Sequence, residues 1–156
     1  TWYGIIDGAQ DPRLHQLVQR SREHACLFDG ALDPRLAATA PWLVRLDPGE
    51  PLLGIWREHG RGRHWGVMAE SGSALAALRR HFRRFLQARL PDGMIALFRF
   101  YDPRVFNTYM VTATAEERTP WFAHVAQFAA EDNGGARLNR FRLEGGELKV
   151  AHDAVG

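Results

Sequence analysis

The stretch Met94-Ile95-Ala96-Leu97-Phe98-Arg99-Phe100-Tyr101, followed by Asp102-Pro103-Arg104-Val105, decides how this sequence is read. Apart from Arg99, Met94 to Tyr101 is apolar on both alternating faces, the pattern of a central strand covered on both sides. The Asp-Pro that follows ends the strand and starts a helix. Asp at the cap accepts a first-turn N–H, and Pro has a preset φ and lacks a donor the helix start does not need. The same element recurs at Asp11-Pro12-Arg13 and Asp33-Pro34-Arg35, so three helix starts are expected.

Working outward, apolar runs of strand length recur at Trp2 to Ile6, Ala25 to Phe28, Trp42 to Leu46 and His64 to Ala69. Helical segments are expected between them at Pro12 to Glu23, Pro34 to Ala38, Pro51 to His59 and Ser73 to Leu90. This alternation predicts an α/β fold with a central, largely parallel sheet flanked by helices. After Asp102 the pattern predicts C-terminal helices over Pro103 to Met110 and Glu116 to Glu131. A terminal β-hairpin follows over residues 137–152, turning at Gly145-Gly146.

The chain has 156 residues, 46% of them hydrophobic, which suffices for one core and one domain over 1–156. No apolar run reaches the ~18 residues of a membrane span, so no membrane partner is expected. Thr1 to Asp7 shows no charged and apolar leader, and the lone Cys26 has no disulfide partner; both set the expectation of a cytoplasmic protein. All cationic residues but Lys149 are Arg, which favours bidentate pairing and stacking. A formal charge of +2 is too small to argue for nucleic acid.

Asp7, Asp29, Asp47 and Asp102 each lie at or just beyond a predicted strand end. In a parallel sheet those ends share the edge where ligands bind. A Mg²⁺-dependent phosphoryl-transfer enzyme could use such carboxylates. However, no strand-end Lys accompanies them and no pair has Asp-x-Asp spacing. The structural alternative pairs them with Arg45 and Arg99, which interrupt apolar strands and need carboxylate partners if buried. An ion-pair network of Asp7, Asp29, Arg45, Asp47, Arg99 and Asp102 is therefore expected, with no catalytic residue, metal or cofactor.

Other chemical motifs are weak. Ser71 and Ser73 lack the preceding Gly of a nucleophile elbow. His59 and His64 straddle a loop rather than sharing a helix face. Gly60-Arg61-Gly62 lacks the remaining glycines of a nucleotide loop. On the Ser73 helix, Leu75, Leu78, Phe82, Phe85 and Leu86 share one arc, and Arg80, Arg83 and Arg84 another, with Arg79 near the border. An arginine face of this kind meets water, an acidic partner or a phosphate backbone, so a nucleic-acid-binding module is the second alternative.

The order of these motifs carries more than any one of them. Ile6-Asp7-Gly8-Ala9, Leu27-Phe28-Asp29-Gly30, Pro41-Trp42-Leu43-Val44-Arg45-Leu46, Trp65-Gly66-Val67, Leu78 to Phe85 and Phe98 to Val105 form a series. From about residue 3 to 131 this series resembles the domain of unknown function found in type VI secretion adaptors, the Tap or Tec effector chaperones. The resemblance implies a non-enzymatic protein that binds a toxic effector and assists its loading onto the VgrG spike. Arg and aromatic residues are enriched at interface centres, so Trp65, Arg80, Arg84, Arg99, Tyr101 and Arg104 are the candidate partner-binding residues. The competing reading of Trp65, Arg99 and Tyr101 is simple burial.

Overall fold

The computed structural model describes residues 1–155. Its strands are β1 (Trp2–Asp7), β2 (His24–Cys26), β3 (Pro41–Arg45), β4 (Gly66–Glu70), β5 (Gln87–Arg89) and β6 (Ile95–Leu97), followed by β7 (Gln127–Asp132), β8 (Arg137–Glu144) and β9 (Glu147–Ala154). Its α-helices are α1 (Leu14–Gln19), α2 (Pro34–Thr39), α3 (Pro51–Ile55), α4 (Leu75–Arg83), α5 (Pro103–Thr112) and α6 (Ala115–Arg118).

Seven strands form one sheet in the order β2-β3-β1-β4-β7-β8-β9, and every neighbouring pair is antiparallel. The expected largely parallel sheet is thus overturned. β1 and β2 do run in the same direction with α1 between them, as a parallel unit would. But β3 inserts between them and pairs antiparallel with both. Alternation of elements reveals that a helix intervenes, not which strand becomes the neighbour.

Double burial explains the misleading strand pattern. On one face Tyr3, Ile5, Leu43, Val67 and Phe128 pack with Leu78 and Phe82 of α4 and Phe106 and Met110 of α5. On the other, Ile6, Val44 and Leu46 pack with Leu14, Leu17 and Val18 of α1 and with Leu52 and Trp56. The middle strands are therefore apolar on both sides, a signature common in parallel sheets but set here by helices on both faces of an antiparallel one.

Three segments depart from expectation. Met94 to Tyr101 is not a central strand: only Ile95–Leu97 is extended, paired with β5 in a separate two-stranded ribbon. The helix expected to reach Leu90 ends at Arg83. The helix expected over Glu116 to Glu131 stops after α6 and a short 3-10 turn at Thr119–Phe122, and its last part becomes β7. That segment's hydrogen bonds go to β4 and β8, so tertiary pairing overrides its helical spacing. The terminal hairpin forms as expected, its Gly145 and Gly146 both at positive φ (58° and 82°), as a type I′ turn requires.

The Asp-Pro-Arg elements behave as caps. Asp33 and Asp102 accept the N–H of Arg35 and Arg104 at the starts of α2 and α5. Asp11 likewise accepts the N–H of Arg13, in the turn just before α1.

Candidate functional site

Asp7 closes β1 and is only 1% exposed. Its backbone N–H donates to Trp65 O at 2.8 Å. Its carboxylate accepts from Ala9 N at 3.1 Å, from Gln10 Nε2 at 3.0 Å and from Arg99 Nη2. Arg99 arrives on the irregular segment between β6 and α5, its side chain 45% exposed. Burial works against its charge, but the Asp7 carboxylate more than offsets this and holds Arg99 above its ordinary range.

Tyr101 lies buried beside this pair, its ring centroid 6.0 Å from the Arg99 guanidinium carbon. Burial, reinforced by the negative charge of Asp7, pushes its phenol up to about 12. Asp102 caps α5 and is gripped in a fork: Arg104 donates to it from Nε at 3.1 Å and from Nη2 at 2.8 Å. Burial raises this carboxyl, yet the Arg104 hydrogen bonds prevail and hold it below the usual carboxylate range. Asp11 and Arg13 repeat the same fork near α1. The sequence reading found the caps but not the forks, although a side chain two residues past an Asp cap is well placed to turn back on it.

The other members of the expected network lie elsewhere. Asp29 is exposed and faces α4, where Arg83 and Arg79 approach it at 3.1 Å and 3.6 Å. Both arginines also donate to backbone carbonyls, Arg79 to Cys26 and Phe28 and Arg83 to Leu27, so they clamp the segment after β2. Arg45 pairs with Glu23 and Asp47 at 2.8 Å and 2.9 Å. Because Tyr3 is the register partner of Arg45 and Pro41 that of Asp7, this cluster sits at the opposite end of the strands from Asp7. The four aspartates therefore do not converge as they would in a parallel sheet. Among the described residues no group of three or more His, Cys, Asp or Glu is arranged to hold a metal ion.

Trp65 and Tyr101 are both core residues, 1% and 2% exposed, and neither presents a surface to a partner. Arg80, Arg84, Arg99 and Arg104 reach solvent, with Arg84 also lying over the Phe85 ring at 5.9 Å. Arg104 borders a shallow groove between Phe98 and α5, floored by Val105, Thr108 and Tyr109.

Residues 2–120 match a family model described as Domain of unknown function (DUF4123). The chain belongs to the DUF4123 family. The match ends before β7, short of the resemblance expected to about residue 131, so three of the seven main-sheet strands lie beyond the DUF4123 span. Asp7, Asp102 and both their arginine partners fall inside it. No curated protein and no solved structure matches the chain significantly.

A cavity of about 400 Å³ opens where the DUF4123 span meets the later strands, lined by Trp2, Leu46, Trp56, Met68, Leu138 and Arg57 among others. None of the candidate partner-binding residues lines it. No helix of the described residues is long and apolar enough to cross a membrane.

Proposed function

We propose that this chain is an adaptor that binds a type VI secretion effector in the producing cell and assists its loading onto the VgrG spike. The observation that carries this reading is the ordered motif series from Ile6 to Val105, all of which lies within the family match over 2–120. The geometry is compatible with a scaffold. Asp7 at the end of β1 and Asp102 at the start of α5, both buried, are each committed to an arginine and to a backbone N–H.

The docking surface in this reading comprises Arg80 on α4 and Arg84 at its C-terminal cap together with Arg99 and Arg104 near the start of α5. Trp65 and Tyr101 support it from beneath, as packing that holds Asp7 and Arg99 in place.

Co-expression of the tagged chain with the effector encoded beside it tests the proposal. A stable complex that survives size-exclusion chromatography is the expected result. Failure of the two proteins to co-elute, with both folded, would sink it. Divalent-metal-dependent turnover abolished by Asp7→Asn in a protein that still folds would instead favour phosphoryl transfer. Binding that falls steeply with salt would favour nucleic acid.

A further inference from the structure

The run that reads as a buried strand carries, with Leu90, most of the exposed large apolar side chains among the described residues. Met94 is 64% exposed, Ile95 58% and Leu97 50%, and Leu90 lies next to them at the other end of the turn. The segment is hydrogen-bonded at both ends. Phe98 N donates to Leu86 O at the stem of the ribbon, and at its tip Leu90 N donates to Met94 O, both at 2.7 Å. Met94 N also donates to the Asp92 carboxylate.

Register shows which way the ribbon faces. Gln87 pairs with Leu97, Ala88 with Ala96 and Arg89 with Ile95. Side chains alternate between faces, so Ala88 and Ala96 share the half-buried inner face, whereas Gln87, Arg89, Ile95 and Leu97 share the outer one. A ribbon that only covered the core would place its large apolar side chains inward and its small ones outward. This one does the reverse, and an apolar patch of that kind marks a surface that another molecule covers.

Charge identifies the occupant. Arg89 is the one charged side chain among these outward strand positions, and among the described residues it has no hydrogen-bond or ion-pair partner. Asp92 sits at the turn, where it is engaged by Met94 N–H. A second copy would present the same Arg89 and no carboxylate at these outward strand positions, whereas a segment carrying a carboxylate complements it.

We propose that the outer face of the β5–β6 ribbon docks a segment of the effector in which apolar side chains accompany a carboxylate. The apolar side chains rest on Ile95 and Leu97, and the carboxylate meets Arg89. This inference rests on the adaptor reading and locates a contact for it.

The test uses the full chain co-expressed with its neighbouring effector, and then peptides of about fifteen residues tiled across that effector. The double variant Ile95→Ser/Leu97→Ser is expected to keep the wild-type melting temperature and to retain at least tenfold less effector. Arg89→Glu is expected to weaken the best-binding acidic, apolar peptide about tenfold, and Arg89→Lys to restore most of it. If the wild type retains the effector and both Ile95→Ser/Leu97→Ser and Arg89→Glu retain it equally well, the ribbon is excluded while the adaptor reading stands. If the wild type retains none, the adaptor reading fails and this inference with it. Two further outcomes overturn the ribbon proposal by naming another occupant. One is a dimer in sedimentation that the double variant abolishes; the other is binding to anionic phospholipid vesicles that the double variant abolishes.

Discussion

Arg99 donates to the carboxylate of Asp7 across 92 positions of sequence, joining the segment before α5 to the end of the first strand. The pair is asymmetric: the carboxylate is buried and the guanidinium half-exposed. Removing the exposed partner therefore leaves a charge that water cannot easily reach. Arg99→Ala is expected to destabilise the fold by about 2 kcal/mol, less than for a fully buried pair because Arg99 itself is solvated. Urea denaturation should show a lower midpoint at unchanged m. Asp7→Asn in the Arg99→Ala background should recover part of the loss; strict additivity of the two changes would argue that the residues are not coupled.

Asp102 predicts the acid limb of stability. Its folded pKa lies below the unfolded value because the Arg104 hydrogen bonds outweigh burial. Such a group stabilises the fold above about pH 4, and the contribution is lost as pH falls through the folded pKa. Asn still caps a helix but carries no charge for the Arg104 fork, so Asp102→Asn is expected to cost about 1 kcal/mol at pH 7. The gap to wild type should narrow as pH falls from about 4 through the folded pKa of Asp102. A gap that stays constant as acid protonates the carboxyl would show that charge is not the source.

His81 predicts a second loss at milder acidity. Its Nε2 lies 2.9 Å from Trp121 O and donates to it, leaving Nδ1 buried without a partner. Burial lowers its pKa despite the hydrogen bond. Below about pH 6.5 the unfolded chain binds a proton that the folded chain resists, so stability falls as pH drops from 7 toward 5. His81→Phe, placed among Phe82, Phe85 and Trp121, should flatten that part of the profile. Equal slopes for variant and wild type between pH 7 and 5 would remove His81 as the cause.

Gly60 ends the helical turn after α3, where a Cβ would lie 2.4 Å from the Trp65 ring. The indole is buried and cannot swing away, so Gly60→Ala is expected to cost about 1–3 kcal/mol as overpacking. Thermal unfolding measures this directly. A wild-type melting temperature would mean that Trp65 has room to shift.

Arg80 on α4 and Arg84 at its C-terminal cap are exposed, with no salt-bridge partner among the described residues. Charge reversal of both should change stability by no more than about 0.5 kcal/mol. In the proposed adaptor it should also reduce effector co-purification. Undiminished recovery of the effector would remove this helix from the docking surface.

Much of this protein was legible in its residues, because the signals involved are local. Asp33 and Asp102 cap their helices, Gly145-Gly146 turns the last hairpin, and β1, β3 and β4 occur where apolar runs place them. Those outcomes depend on φ preferences, on side chains reaching a backbone N–H two residues away, and on apolar runs. Partnering is not local. Whether β3 inserts between β1 and β2, whether Gln127 to Asp132 coils or pairs with β4, and whether Arg45 and Asp7 share an end of the sheet depend on segments distant in sequence. The run Met94 to Tyr101 shows the limit most clearly. Its composition demands a covered surface, but only the assembled fold decides that Phe100 and Tyr101 are covered by this chain and that Ile95 and Leu97 are left outside it.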